Sequence, residues 1–497
     1  MRQVQVCVAV LCVIIASAAV GCRARTETVV IQNPPLVIKA TELGMLPLQE
    51  GGKPPEARVP LLASRDGRRW AYATLSCVAL DGKEGKHYEK VSGMEFSPDS
   101  RHFAYIARTG AEWFVVKDGN EIRAGGEVPA FAFSPDSSRF AYLVKSGGKF
   151  FAVIDGAKGA EYDDIVSMKG TASEQLKVFV FSPDCKHVAY VARTGWSFVM
   201  VLDGKAGNPY DKIETMLEAQ SLFSPDSRHF FYPAISKGKR LVIVDGVESE
   251  GTRSIPYYSP DGKRVAYVIG GGENQPGCVE VDGVRGKEYT NINAPIFSPD
   301  SRHCAYRVGG ILGGAFWVVD GVEQKHGGVS LKLTFSPDSQ HYAYGIDKGI
   351  VLDGVERYVA DAPGPPEVAF SPDSKHVGYA VNAKSGTSRR MVVDEVVGVG
   401  YLFMGHKGRN VFINTTVPPP TFSPDSQHYV YFGANPKPKT DADNTPPGVE
   451  YFLVIDGKEV KCSHDPYNEP VFDSPTKFHY IGTKADKVFL IEVEIGE

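Results

Sequence analysis

Serine, aspartate and histidine recur at fixed spacing along this chain, and their repetition could carry a repeated chemistry. Ser-Pro-Asp occurs nine times, and in seven copies a histidine follows the serine by five residues. The serines are Ser97, Ser134, Ser182, Ser224, Ser259, Ser298, Ser336, Ser371 and Ser423, and the histidines are His102, His187, His229, His303, His341, His376 and His428. Equivalent positions lie whole repeats apart, so these histidines cannot converge on one metal ion unless they line a common axis. We therefore expect turn and strand-start roles for them.

Linear signatures of common enzyme classes are missing from the sequence. It contains no Gly-x-Ser-x-Gly, no His-Glu-x-x-His, and no Gly-Lys followed by Ser or Thr, the usual signs of a hydrolase, a zincin and a phosphate-binding loop. Asp441-Ala442-Asp443 could begin a calcium loop, but Pro446 and Phe452 stand where that loop needs Gly and Glu. The sequence predicts no catalytic residue, no cofactor and no metal ion, and it favours a non-enzymatic protein.

The repeated residues belong to a longer unit. A tyrosine stands eight residues after every Ser-Pro-Asp serine, and degraded copies at Ser64 and Ser474 extend the series to eleven units with a mean period of 41 residues. Within residues 94–120, short apolar strands alternate with turns, Ser-Pro-Asp forms the first turn, and Asp118-Gly119 closes a hairpin. Such a period is typical of four-stranded propeller blades, so we predict an all-β propeller of about eleven blade-like repeats.

Closure of the propeller is the least certain part of this architecture, and one large ring or two tandem propellers both fit. The last unit ends after a third strand, Phe489 to Val493, so its fourth strand is missing. Apolar stretches at residues 29–31 and 36–38 could supply that strand and tie the two ends of the chain together. The Asp-Gly hairpin recurs in nine units, and we expect Asp394-Glu395 to break it.

The repeat resembles a known family. Phe-Ser-Pro-Asp-Ser-Arg-His-Phe-Ala-Tyr at 96–105, followed by Phe-Val-Val-Lys-Asp-Gly at 114–119, is similar to the TolB-like branch of the WD-repeat β-propellers. The resemblance covers roughly residues 58–497, and it implies a fold shared by envelope scaffolds, peptidase gating domains and many secreted proteins. The chain departs from TolB itself, because the segment between Cys22 and Arg58 is too short for an α/β domain, and eleven units exceed the six typical of the family.

The N-terminal segment predicts export. Arg2 precedes an apolar run from Val6 to Val20, which indicates a signal peptide over residues 1–21. The run ends Ala19-Val20-Gly21-Cys22, which resembles a bacterial lipobox, so we predict lipidation of Cys22; an ordinary signal peptide cut near Gly21 is the alternative. Residues 22–57 would form a tether and ring-closing strand, and the mature protein would be periplasmic or anchored to the outer membrane, with the cell surface as a further location.

Composition limits the partners. The formal net charge is −5, and both signs are interspersed, so we expect no binding to nucleic acid, and membrane contact only through the N-terminal lipid. Five cysteines remain after Cys22; we interpret Cys77, Cys278 and Cys304 as buried apolar residues, and leave one disulfide open without assigning it.

Segments that differ between units are the best candidates for binding, because loops on a rigid scaffold usually carry function. They are residues 167–177, 309–315, 382–390, 398–420 and 433–448. The candidate partner-binding residues in them are Tyr401, Phe403, His406, Arg409, Asp441 and Asp443. We favour a non-enzymatic envelope propeller that binds a protein or peptide partner. The alternative is a propeller lyase or hydrolase that acts on carbohydrate or a small ligand at the axial mouth.

Overall fold

A computed structural model describes most of the chain and shows an all-β architecture. The described residues are 26–32, 35–45, 61–166, 178–214, 222–250, 254–270, 275–310, 313–326, 329–347, 349–358, 365–382, 388–404, 418–436, 449–484 and 487–496. These ranges hold 49 β-strands in eleven sheets and no α-helix. Within them, no helix has the length and apolarity that a membrane crossing requires. The predicted β-propeller of eleven four-stranded repeats is confirmed, and we call the sheets blades.

Blades 1 to 5 follow one another along the chain. In blades 1 to 10, the strand order of each sheet has two end strands, and we call the one that comes later in the chain the outer strand. Blade 1 holds β3–β6 (Leu61–Ala63, Trp70–Ala73, Val78–Leu80, Lys83–Glu84) and blade 2 holds β7–β10 (Lys90–Phe96, Phe103–Thr109, Glu112–Lys117, Asn120–Arg123). Blade 3 holds β11–β14 (Phe131–Phe133, Phe140–Ser146, Lys149–Ile154, Ala157–Tyr162), and blade 4 holds β15–β19 (Asp164–Val166, Val180–Phe181, Val188–Thr194, Ser197–Leu202, Lys205–Tyr210). Blade 5 holds β20–β23 (Lys212–Ile213, Phe231–Ser236, Lys239–Val244, Val247–Glu250).

The remaining blades repeat this order. Blade 6 holds β24–β28 (Tyr257–Tyr258, Val265–Gly270, Pro276–Val281, Val284–Arg285, Tyr289–Thr290), and blade 7 holds β29–β32 (Ile296–Phe297, Cys304–Gly310, Gly313–Val319, Val322–Gln324). Blade 8 holds β33–β36 (Leu333–Phe335, Tyr342–Ile346, Gly349–Leu352, Val355–Tyr358), and blade 9 holds β37–β40 (Val368–Phe370, Val377–Asn382, Arg389–Val393, Val396–Tyr401). Blade 10 holds β41–β45 (Phe403–Met404, Thr421–Phe422, Tyr429–Pro436, Val449–Ile455, Lys458–Lys461).

Blade 11 combines both ends of the chain. It contains β46–β49 (Asp465–Pro466, Val471–Ser474, Lys477–Lys484, Lys487–Ile495) together with β1 (Thr26–Gln32) and β2 (Pro35–Met45). β2 pairs antiparallel with β49, with Ile38 opposite Val493, and β1 forms the outer edge. The apolar residues at 36–38 therefore supply the fourth strand that the C-terminal repeat lacks.

The chain divides into two compact units. One contains residues 73–78 and 84–342, which include blades 2 to 7; the other contains residues 1–72, 79–83 and 343–497, which include blades 9 to 11. In the first unit, Leu143 and Tyr190 belong to a buried cluster shared by blades 3 and 4. In the second, Phe432 and Ile491 belong to a cluster shared by blades 10 and 11. In both pairs, a sheet buries one face against a neighbour in the same unit, which a single four-stranded sheet cannot do alone.

Ser-Pro-Asp forms the first turn of blades 2 to 10. In blade 2, the buried Ser97 hydroxyl donates to Asp99 at 2.5 Å and accepts the His102 backbone N–H at 2.8 Å. The Asp99 backbone N–H donates to the Ser137 hydroxyl of blade 3 at 3.0 Å. The same link joins the turns of blade 9 and blade 10. The turn therefore satisfies its own polar groups and fastens adjacent blades.

The repeated histidines bind the Asp-Gly hairpins. Asp118 has φ of 51° and Gly119 has φ of 80°, as a two-residue hairpin requires. One Asp118 carboxylate oxygen accepts the Phe103 backbone N–H at 2.9 Å, and the other lies 2.7 Å from His102 Nδ1. Equivalent pairs are His187–Asp203, His229–Asp245, His303–Asp320, His376–Asp394 and His428–Asp456. The predicted structural role is confirmed for these six of the seven repeated histidines, because each one ties the start of the second strand to the hairpin that follows the third.

Candidate functional site

The outer strand of blade 9 differs from the outer strands of the other blades. β40 has the sequence Val-Val-Gly-Val-Gly-Tyr and carries no charged residue, whereas in the described ranges the outer strand in the order of every other sheet carries at least one. The two-residue β28, which lies off this order in blade 6, is also uncharged. Val396, Val397 and Val399 have exposed fractions of 68%, 43% and 50%. Exposed edge strands are normally protected by charge, because their free backbone groups can pair with another chain. β40 lacks that protection.

The pairing of β40 leaves one side of the strand open. β40 is last in the order β37-β38-β39-β40 and pairs only with β39 in the described structure. Val396 lies opposite Val393 and Gly400 lies opposite Arg390, with an irregularity in the register between Arg390 and Val392. Within the described residues, the outward N–H and C=O groups of β40 have no strand partner, and an edge of this kind can accept an added strand.

A cavity of about 270 Å³ lies beside β40, between blades 9 and 10. Its lining consists of Met391, Val393, Val396, Val397, Gly398, Val399, Tyr429, Tyr431 and Gly457. The lining side chains are apolar or aromatic and none is ionisable near neutral pH. The cavity is smaller than the sites that usually bind drug-sized ligands, and its size suits one or two apolar side chains. A second cavity of about 20 Å³, which includes Met404 and Glu469 in its lining, has room for little more than a water molecule.

The hairpin that leads into β40 corrects one expectation. Asp394-Glu395 does not break the repeated hairpin, because β39 and β40 still pair and Asp394 accepts hydrogen bonds from His376 and Val377 like its counterparts. Glu395 instead takes the glycine position with φ of 68°, which is unfavourable for a side chain of this kind. Its carboxylate lies 3.4 Å from Arg357.

Tyr401 anchors the C-terminal end of β40. Its ring is fully buried, its hydroxyl donates to Glu459, and it meets Tyr431 edge to face at 6.4 Å. Burial, followed by the hydrogen bond to Glu459, raises the pKa of Tyr401 well above its usual value. Tyr401 was expected in a binding loop; it lies in a strand with no surface to offer a partner, and in that respect the prediction was wrong.

Sequence reasoning missed the repeat to which Tyr401 belongs. Gly-x-x-Tyr begins four residues after the hairpin aspartate in five units, at Gly85, Gly159, Gly207, Gly286 and Gly398. Tyr88, Tyr210 and Tyr289 donate to Glu121, Glu248 and Glu323 at 2.6, 2.8 and 2.9 Å. A Cβ on Gly398 would lie 3.0 Å from the Tyr431 hydroxyl, so the glycine permits close approach of the next blade. The fixed spacing from Asp was the signal that could have identified this structural tyrosine.

The other predicted binding residues have different outcomes. Phe403 lies in β41 rather than in a loop. His406, Arg409, Asp441, Asp443 and the lipidation candidate Cys22 lie outside the described residues, and their roles stay predictions. Trp196, in the hairpin between β17 and β18, has an exposed fraction of 95%; it was not singled out from the sequence, although an exposed tryptophan is a common feature of interfaces.

Metal and thiol chemistry have no evident site in the described structure. No group of three His, Cys, Asp or Glu residues is placed to hold a metal ion in the described ranges. Cys77, Cys185, Cys278, Cys304 and Cys462 are all free, so these five form no disulfide with one another. Burial raises the pKa of Cys304 and Cys462 to about 12, so both are thiols at neutral pH.

Comparison with known proteins finds only solved structures of low similarity. No family model and no curated protein matches it. Matching solved structures include a eukaryotic initiation factor, at 14% identity and TM-score 0.38, covering 80% of this chain and 98% of that one. A GH74 enzyme of Niastella koreensis matches at 11% identity and TM-score 0.23, covering 88% and 77%. TolB of Acinetobacter baumannii matches at 14% identity and TM-score 0.22, covering 53% and 61%. The chain is a β-propeller protein, and similarities this weak do not assign its family or function.

Proposed function

We propose that this protein is a non-enzymatic β-propeller scaffold whose partner adds an extended segment, as an extra strand, to β40. The observation that carries the proposal is the exposed outer strand of blade 9, which has three exposed valines and no charge. In strand addition, backbone hydrogen bonds give affinity and pockets for alternate side chains give specificity. β40 offers both, since an unpaired edge and an apolar cavity of about 270 Å³ lie side by side.

The chemistry of this site describes the partner segment. Its backbone must be extended, because it has to follow the edge of β40. Side chains on the cavity side should be apolar, since Val393, Met391 and Tyr429 line that side and an unpaired charge would lose its hydration there. Phe403, in the strand after β40, is a further candidate contact, and His406, Arg409, Asp441 and Asp443 stay candidate binding residues from the sequence.

The cell envelope is the proposed location. The apolar run that ends in Gly21-Cys22 and the resemblance of the repeats to the TolB-like branch both support it. With a lipid on Cys22, the propeller would be held at a membrane surface. Replacing Cys22 with Ser should move the protein from the membrane fraction to the soluble fraction of fractionated cells, and a variant that stays in the membrane fraction would contradict lipidation.

Charge placed on β40 tests the binding site. We expect Val397→Lys with Val399→Lys to reduce partner capture from envelope extracts at least tenfold, because lysines on an edge strand oppose strand addition. Val247→Lys is the matched control, since Val247 is 67% exposed on the outer strand of blade 5. Hydrogen exchange on the captured complex should show added protection of the β40 amides.

Two results would overturn the proposal. Equal capture by the β40 variant and by the Val247→Lys control would mean that the partner binds elsewhere. Failure to recover any specific protein in repeated experiments would remove the scaffold function itself. The unfolding free energies of both variants should stay within about 0.5 kcal/mol of that of the parent protein, as is usual for exposed positions. Loss of capture then cannot be attributed to loss of the fold.

A further inference from the structure

Arg307 is a buried cation in the second strand of blade 7. Its exposed fraction is 5%, and Nε is buried with no hydrogen-bond partner. In the described ranges no carboxylate forms an ion pair with it. Burial lowers the pKa of Arg307 below its usual value, yet an arginine side chain stays protonated in proteins. The positive charge therefore persists inside the blade.

The repeat shows that this charge is unusual. Arg307 directly follows the repeat tyrosine Tyr306, and the ten corresponding residues of the other units are uncharged. They are Ala73, Ile106, Leu143, Val191, Pro233, Val268, Gly345, Ala380, Phe432 and Ile481. The fold does not need an arginine here, because the same strand position packs well with apolar side chains in its neighbours.

Among the residues that the structure describes, no acidic side chain pairs with Arg307. Arg307 lies directly opposite Trp317 in the pairing of β30 with β31, so the two side chains share one face of the sheet. The Trp317 indole N–H donates to the Ser330 carbonyl at 3.3 Å. The connection from β32 to β33 thus lies against Trp317, on the face of the sheet that Arg307 shares, and its residues 329–332 contain no Asp or Glu.

We propose that Arg307 is the centre of an oxyanion-binding site that accepts a carboxylate or a phosphate from solvent. Removal of a charge from water costs several kcal/mol when no partner compensates it. A guanidinium presents a fork of N–H groups that matches the paired oxygens of these anions. The exposed fraction of Arg307, 5%, is where the anion would reach the guanidinium. The bound anion would supply the negative charge that balances the guanidinium.

Anion-dependent stability tests this site. Thermal unfolding of the full chain is followed while inorganic phosphate, or acetate in a parallel series, rises to 10 mM at constant ionic strength. The parent protein should gain stability and reach a plateau. Arg307→Met should show no plateau, and without added oxyanion it should be at least as stable as the parent, as happens when apolar residues replace buried charges. Response to acetate alone would indicate a carboxylate ligand, and response to phosphate alone would indicate a phosphate.

Further variants keep the test decisive. If Arg307→Met does not fold, Arg307→Lys preserves the charge without the fork and should weaken phosphate binding at least tenfold in titration calorimetry. Arg285→Met is the matched control, since Arg285 is exposed on the outer strand of blade 6 and pairs with Glu280; it should keep the plateau. Equal stabilisation of the parent and the Arg307 variants, or no saturable response to either anion in the parent, would overturn the site.

Discussion

Two regions of blade 9 differ in their relation to the repeat: its first turn, at Ser371, matches the other blades, and its outer strand, β40, does not. At its first turn, Ser371 is fully buried, donates to Asp373 at 2.6 Å and accepts the His376 backbone N–H at 3.0 Å. These contacts recur in other blades. At its outer edge, β40 exposes three valines and carries no charged residue, whereas in the described ranges the outer strands of the other blades, including those with an exposed valine such as Val247, carry at least one charged residue. The turn satisfies polar groups that burial would otherwise leave unpaired, whereas the edge retains backbone groups that a partner can use.

The difference between the turn and β40 separates residues that stabilise the fold from residues that have another role. A turn that repeats nine times with the same hydrogen bonds serves packing, because every blade must solve the same problem of burial. An uncharged edge serves no packing purpose, and it adds a risk of aggregation that the other blades avoid. The outer strand of blade 9 is therefore a better place to look for function than the serines, aspartates and histidines that dominate the sequence.

The largest effect on stability should come from the turn. Ser371→Ala leaves the His376 backbone N–H and the Asp373 carboxylate without their shared partner, and we expect a loss of about 2 kcal/mol in unfolding free energy. Denaturant unfolding measures this loss. Capture of a partner by β40 should not change, because the Ser371 turn lies away from that edge of the blade.

The pH dependence of the same variant sharpens the test. Hydrogen bonding, chiefly from Ser371, lowers the pKa of Asp373 from 3.8 to about 2. A carboxyl group with a lowered pKa in the folded state contributes stability above the unfolded pKa near 4, and loses it as the pH falls toward 2. The gap between the parent and Ser371→Ala should therefore narrow from pH 5 to pH 2. A gap that is independent of pH would show that the hydroxyl acts without the carboxylate.

The sequence predicts much of the fold because the repeat encodes local geometry. Ser-Pro-Asp, Asp-Gly and the tyrosine eight residues after the serine located the turns, the hairpins and the second strands correctly, since each depends on a few adjacent residues. Asp394-Glu395 was misjudged because tertiary pairing of β39 with β40 imposes a positive φ that glutamate does not favour.

The candidate site was harder to predict, since it depends on which strands pair and which side stays open. The sequence drew attention to residues 398–420, and β40 ends in that stretch. The sequence assigned binding to Tyr401, although its ring is buried between blades 9 and 10 and its hydroxyl donates to Glu459. The exposed valines precede it and look like an ordinary strand, because periodicity does not distinguish a covered edge from a free one.

The smallest expected effect tests whether the entry to β40 carries strain. Glu395→Gly should raise the unfolding free energy by about 0.5 kcal/mol, because glycine adopts positive φ without steric cost, while loss of the exposed contact with Arg357 costs less than that. Gly119→Glu is the matched reverse change, at a hairpin glycine whose Cβ would meet nothing within 4 Å, and it should lower stability through φ alone. Denaturant midpoints that move in these opposite directions would assign the strain to the backbone at this position. If Glu395→Gly is neutral or destabilising while Gly119→Glu lowers stability, contacts of the Glu395 side chain offset the strain at this φ. The hairpin of blade 9 would then be, with β40, a second place where this blade departs from the repeat for a reason other than packing.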